Sequence, residues 1–175
     1  ADHLARISGA AFVVREGCGT NGIVVGVVSD FPLATTNGLL RAPDATRRED
    51  YVLRSHPDGV YVVGASELGV EHATWDLLYR LGYRQFFPGE TWEVVPRIET
   101  LSVALDAEEA PDYLSRRIWY GYGLWGYNLA PYQDWCVKNR TLGGVALSTG
   151  HAYGKIIRAL RTEFEAHPEF YALLD

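Results

Sequence analysis

Gly59-Val-Tyr-Val-Val-Gly64 runs through Ala65-Ser66 into Glu67-Leu-Gly-Val70-Glu-His72-Ala73-Thr-Trp75-Asp76-Leu77-Leu78-Tyr-Arg80-Leu81-Gly82, and this stretch decides the fold. Its opening is rich in Val and Tyr, side chains that suit a pleated, half-buried surface. Its second part changes period. Val70, Ala73, Leu77, Leu78 and Leu81 fall on one face of a 3.6-residue repeat, which predicts a helix over 66–81. Ser66 can cap the start, Glu67 suits the positive end and Arg80 the negative end, and Gly82 can stop it. Just upstream, Tyr51-Val-Leu-Arg54 and Val60-Tyr-Val-Val63 flank Ser55-His-Pro-Asp-Gly59. Pro57 presets a turn φ and Gly59 can supply a positive one, so the two runs are expected to form a hairpin.

Working outward, Ala1 to Gly9 reads as the end of a helix, with Gly9 in the left-handed position past its last turn. Ala10–Arg15 is a short β-rich run. Ile23–Val28 is a second strand, Val-rich and expected to be buried on both faces. Gly17-x-Gly19-x-x-Gly22 has the spacing of a dinucleotide fingerprint, but it leads into a strand where that motif needs a helix N-terminus, so it reads as a turn. Ser29–Arg48 reads as a loop, Val94–Leu105 as extended chain, and Asp106–Asp112 as an acidic linker.

The texture changes from Arg116. Arg117-Ile-Trp-Tyr120 is strand-like, Pro131–Arg140 a short helix, Val145–Leu147 a short strand, and Tyr153, Ile156, Ile157, Leu160 and Phe164 a second helical stripe. Strand, helix, strand, helix is the opening of a parallel α/β unit.

The 175 residues carry a formal charge of −6 with 47% hydrophobic and 22% charged side chains. An acidic balance lacks the dense basic face that nucleic acid requires. No apolar run reaches the roughly 18 residues that span a bilayer, and residues 1–10 lack the basic start and apolar stretch of a leader. Cys18 and Cys136 form no C-x-x-C, and either stay free or close one long-range disulfide. The histidines His3, His56, His72, His151 and His167 make no close pair, so no metal or cofactor is expected.

Three features are candidates for contact with a ligand. One arginine of Arg116-Arg117 either points into a cleft or belongs to a solvated pair. Trp119, Tyr120, Tyr122, Trp125 and Tyr127 alternate with glycines, which suits either a core or a loop that offers aromatic faces to a sugar ring. His151 follows an expected strand end, where functional groups gather in parallel α/β folds; the alternative is a helix cap. Asn139-Arg-Thr141 matches a glycosylation sequon.

The segment from Tyr51 through Gly59-Val-Tyr-Val-Val-Gly-Ala-Ser-Glu-Leu-Gly-Val-Glu-His-Ala-Thr-Trp-Asp-Leu-Leu-Tyr-Arg-Leu-Gly-Tyr-Arg-Gln-Phe-Phe-Pro-Gly-Glu90 resembles a small α+β domain. That domain precedes the catalytic barrel in family 20 β-N-acetylhexosaminidases and family 67 α-glucuronidases, and recurs in an uncharacterised bacterial glycoside-hydrolase-like group. Pro111-x-Tyr113-x-x-Arg116 looks like the approach to barrel strand one, although Arg117 stands where hexosaminidases carry glycine. Gly150-His151-Ala-Tyr153 and His167-Pro-Glu-Phe-Tyr171 look most like the bacterial group.

The resemblance implies an α+β, hexosaminidase-domain-2-like sheet with helices on one face over residues 1–108. The first β/α units of a TIM-type barrel would follow over 109–175, since a whole barrel needs about 250 residues. It implies a glycoside-hydrolase-like protein acting on a polysaccharide or glycan, with its catalytic carboxylates outside this chain and the piece alone inactive. A non-catalytic carbohydrate-binding or scaffold module is the alternative. Arg116 is expected to hold a sugar hydroxyl, Trp119 to pack on a ring and His151 to hydrogen-bond at the cleft floor. Oligomeric state and localisation stay open.

Overall fold

Strand β2 (Tyr51–His56) turns at Pro57-Asp58 into β3 (Gly59–Gly64), and the two pair antiparallel with Tyr51 opposite Gly64 and His56 opposite Gly59. A computed structural model describes residues 1–17, 19, 21–31, 46–118, 125–141 and 153–171. Gly59 serves the hairpin differently from the sequence expectation. Its φ is not positive. A Cβ there would lie 1.9 Å from the Gly22 carbonyl oxygen, so the glycine is needed for close approach of a neighbouring strand.

That neighbour is β1 (Gly22–Val27), parallel to β3 with Ile23 opposite Val60. β6 (Asp106–Glu109) pairs antiparallel with β2, placing Arg54 opposite Asp106. The four-stranded order is β1-β3-β2-β6, a mixed sheet. The acidic 106–112 stretch thus supplies a strand at 106–109 where the sequence suggested a linker. Gly22 opens a strand rather than a helix, and Gly19 and Gly22 stand at positive φ.

Helix α1 (Asp2–Ser8) ends on Gly9 in the left-handed conformation at φ 79°. Helix α2 (Glu67–Arg80) is capped by the Ser66 hydroxyl, which accepts from the Gly69 amide. Gly64 and Gly69 let the start of α2 close down on the sheet, since a Cβ on Gly69 would lie 2.6 Å from the Asp50 carbonyl oxygen. Both helices cover one sheet face: Leu4 and Ile7 of α1 and Ala73, Leu77 and Leu78 of α2 pack on Leu53, Val60 and Val62. The opposite face holds a smaller cluster, Val52, Val63 and Ala65 with Phe31 and Tyr61.

Short strands β4 (Arg84–Gln85) and β5 (Glu93–Val94) pair antiparallel below α2. Glu93 fastens them to α1. It accepts from both Arg6 nitrogens and, at 2.7 Å, from the Tyr83 hydroxyl. The Arg6 bonds, with help from Tyr83 and Lys138, hold the Glu93 carboxyl down at about 2.

Helix α3 (Leu129–Lys138) begins two residues before Pro131 and packs Trp135 into the fold, its Nε1 donating to the Gln85 carbonyl at 3.0 Å. These elements belong to one unit, Ala1–Gly144; Val145–Asp175 form a second. Within the second unit the expected single helix is two, α4 (Tyr153–Ala159) and α5 (Arg161–Ala166), broken at Leu160. Arg117 and Ile118 form no strand, and residues 119–120 and 145–147, where the other barrel-strand expectations fall, lie outside the described residues.

One strand expectation is corrected by burial. β1 was expected to be covered on both faces, yet only Val24 is buried, while Ile23 is 38% and Val25 52% exposed. The cause is position. β1 is the outer strand, and the buried core under α1 and α2 is built on β2 and β3.

Candidate functional site

Arg116 is held in place before any ligand is considered. Its Nε donates to the Arg140 carbonyl at 3.2 Å, Nη1 to the Tyr113 carbonyl, and Nη2 to Glu49. Glu49 is 3% exposed and lies at the end of the turn that feeds β2. Its Oε2 also stands 3.4 Å from His72 Nδ1 on α2. Burial pushes the His72 imidazole down to about 4, with Arg116 and Arg140 pushing the same way and Glu49 opposing them. His72 is therefore neutral at pH 7 and Glu49 has Arg116 as its cationic partner.

A second carboxylate sits one helical turn along α2. Asp76 receives Arg140 Nη1 at 2.9 Å and Arg80 Nε at 2.8 Å. Arg140 also donates to the Tyr51 hydroxyl at 3.0 Å. Burial, followed by the nearby Asp76 charge, raises the Tyr51 phenol, which stays protonated. Arg80 continues the chain of charges to Glu109 on β6 at 2.7 Å.

The backbone at Arg140 is unusual. Its φ is 54°, the left-handed region, and it is the one non-glycine residue with positive φ among the described residues. The Arg140 amide bonds to the Val137 carbonyl and the Thr141 amide to that of Cys136 at 2.9 Å, which is a Schellman ending. Glycine is the ordinary residue there. An arginine costs about 1 kcal/mol in backbone terms, and in return the end of α3 delivers a guanidinium to Asp76 and a carbonyl to Arg116.

Between these groups lies a cavity of about 310 Å³. Glu49, Tyr51, His72, Arg116, Asn139 and Arg140 contribute to its wall, and Tyr113, 72% exposed, stands at its rim. The size is at the low end of small-ligand sites. Its lining alternates guanidinium donors, carboxylate acceptors and hydroxyl or amide groups, which matches a ligand with several hydroxyls.

Of the residues singled out in the sequence, Arg116 is at this cavity; Trp119 and His151 lie outside the described residues. Glu49, Tyr51, His72, Asn139 and Arg140 were not singled out as a group. They reach the cavity from a turn, from β2, from α2 and from the end of α3, and none left a local signal in the sequence. The sequon asparagine is engaged: Asn139 Nδ2 donates to the Gln85 carbonyl at 3.1 Å and the Trp135 carbonyl at 3.0 Å. No helix among the described residues is long and apolar enough to cross a membrane.

Comparison with known proteins adds no relative: no family model, no curated protein and no solved structure matches this chain.

Proposed function

We propose that the chain is part of a glycoside-hydrolase-like protein acting on a polysaccharide or glycan, and that the cavity beside Arg116 contacts the sugar. The observation that carries this reading is the cavity's lining, in which an arginine fork, the buried Glu49 carboxylate, a protonated phenol and an amide face a space of sugar size. The hexosaminidase-like and α-glucuronidase-like stretch up to Glu90 supports it independently. On this reading the Ala1–Glu108 sheet is the domain that precedes the barrel, and residues 109–175 are the barrel's first β/α units. Arg116 has two N–H groups beyond those used by Glu49, Tyr113 and Arg140, and they are available to a hydroxyl. The further expectation, that Trp119 packs on a ring face and His151 hydrogen-bonds a sugar, falls on residues outside the described ones and is part of the same proposal. The acid and base of hydrolysis lie outside this chain.

A non-catalytic carbohydrate-binding module is the second reading, and one observation favours it. Glu49, the buried carboxylate of the cavity wall, is tied to Arg116, an arrangement suited to holding a ligand rather than donating a proton.

Titration calorimetry of the chain with neutral and acidic oligosaccharides tests binding. Tyr113→Ala, at the exposed rim, is expected to weaken a binding sugar about tenfold, which is 1.4 kcal/mol, and Trp119→Ala and His151→Ala to weaken it at least as much. If no oligosaccharide binds, or all three variants bind as the parent does, the proposal is wrong. Hydrolysis of chromogenic glycosides by the longest protein containing this chain then separates enzyme from binder.

A further inference from the structure

The charges around the Arg116 cavity are unequally matched. Among the described residues, three carboxylates, Glu49, Glu109 and Asp112, and two guanidiniums, Arg116 and Arg140, stand in its wall. His72 adds a neutral imidazole. Neither guanidinium is in surplus. Arg116 donates to Glu49, and its other two bonds go to carbonyl oxygens. Arg140 is paired with Asp76 at 2.9 Å, a carboxylate outside the wall. Arg80 supplies a third cation from outside the wall, and it is divided between Asp76 at 2.8 Å and Glu109 at 2.7 Å.

The carboxylates are the groups left over. Asp112 is exposed and has no ion pair among the described residues. Glu109 places Oε1 on Arg80, and its other oxygen has no partner among the described residues. Glu49 is 3% exposed, and both Arg116 and His72 approach the same oxygen, Oε2. Its Oε1 has no partner among the described residues. A buried acceptor of this kind calls for a donor from whatever occupies the cavity.

We propose that this cavity takes sugar units without negative charge and rejects those bearing a carboxylate, with Glu49, Glu109 and Asp112 as the rejecting groups. The inference rests on the sugar reading given above and adds to it the charge class of the ligand. Two physical terms point the same way. The first is hydrogen-bond chemistry. A hydroxyl can accept from a remaining Arg116 N–H and donate to Glu49 Oε1, whereas an ionised carboxylate can only accept and leaves Oε1 unmet. The second is charge. An entering carboxylate gives up water in a space where each arginine is already neutralised, and it stands against carboxylates that have oxygens to spare. Specificity then comes from the repulsive groups as much as from the attractive ones. Asp112 holds the exposed part of the wall and Glu49 the buried part, so the rejection acts both on entry and in the seated ligand.

Calorimetry of the whole chain with matched pairs of oligosaccharides tests this. The probes are short oligomers of glucose, galactose and N-acetylglucosamine, each beside its counterpart oxidised to a carboxylate at C6. In every pair that binds, the neutral member is expected to bind at least about tenfold more tightly, which is 1.4 kcal/mol. Asp112→Asn, at an exposed position without an ion pair, is expected to keep the parent's melting temperature and to narrow that ratio about threefold. Glu49→Gln retains an acceptor for Arg116 and releases its charge, and is expected to close the ratio. Asp112→Asn carries the test where circular dichroism shows that Glu49→Gln does not fold. An acidic member that binds as tightly as its neutral counterpart overturns the inference and leaves the sugar reading standing. So does a ratio that Asp112→Asn leaves unchanged. If no member of any pair binds, the sugar reading fails and this inference falls with it.

Discussion

The β6 side of the sheet is crowded with ion pairs and the β1 side has almost none. On the β6 side Arg54 reaches Asp106 and Glu108, Arg80 joins Glu109 to Asp76, and Arg140 and Arg116 close the chain at Tyr51 and Glu49. On the β1 side Val13, Val14, Ile23 and Val25 are exposed apolar side chains. The difference lies in what each side has to hold. The Arg116 segment and the end of α3 meet the sheet through charges, and directional bonds fix a geometry that apolar contact would leave loose. β1 carries no charged side chain and leaves Ile23 and Val25 exposed.

Removing the anchor of the charged side has the largest expected effect. Arg116→Ala leaves Glu49 buried at 3% exposure beside a neutral imidazole. Loss of one partner from a buried pair costs about 3 kcal/mol. Urea unfolding is expected to show that loss with an unchanged m-value. An equally deep effect from Val25→Lys on folding would break the contrast between the two sides.

The next effect appears with pH. His72 has its folded value lowered to about 4 from 6.5, so below 6.5 the unfolded chain binds a proton that the folded chain refuses. Stability therefore falls as pH drops from about 6.5 to about 4, by about 3 kcal/mol in all. Glu93, held down at about 2 by Arg6, Tyr83 and Lys138, acts lower: its contribution is present above 4.5 and fades as pH falls towards 2. His72→Gln is expected to flatten the melting temperature between pH 6.5 and 4 and leave the lower window intact. A parent-like slope in the upper window would place the acid sensitivity elsewhere.

These two residues also show where sequence reading stops. The hairpin and α2 are legible because their signals are local: Pro57 beside Asp58, and a stripe whose members Ala73, Leu77, Leu78 and Leu81 do pack in the core on the sheet. His72 reads from the same stripe as a helix flank, yet it is 5% exposed. What buries it is Glu49 and Arg116, which come from a turn and from a segment 67 positions beyond that turn. No periodicity registers a partner at that distance. β6 was hidden for a related reason. Asp-Ala-Glu-Glu has poor strand propensity, and its place is set by ladder bonds to β2 and by Arg54. β1 misled in the opposite direction: a Val-rich run is the pattern of a doubly covered strand, and only the helix positions reveal that one face is open.

The left-handed arginine sharpens the account of the charged side by a smaller margin. Arg140→Ala and Arg140→Gly both remove the guanidinium from Asp76 and Tyr51, but only alanine keeps the Cβ that a φ of 54° disfavours. The glycine variant is expected to be the more stable of the two by about 1 kcal/mol. Both are expected to fall below the parent, because the side chain contributes more than the backbone costs. If Arg140→Gly exceeds the parent, the ion pair at the end of α3 is not what keeps an arginine there.

The smallest effect on stability is also the direct exchange of one edge for the other. Asp106→Val with Glu108→Val gives β6 the apolar character of β1 and removes two Arg54 ion pairs whose acidic partners are 78% and 42% exposed. Exposed pairs contribute under about 1 kcal/mol each, so the melting temperature is expected to move little. Association should respond far more, since the charges that guarded the edge are gone and strand propensity has risen. Light scattering in the Val25→Lys background isolates the new edge. Self-association of that triple variant would show that these charges keep β6 solitary; a monomer would mean that Glu109, with its Arg80 partner, guards the edge unaided.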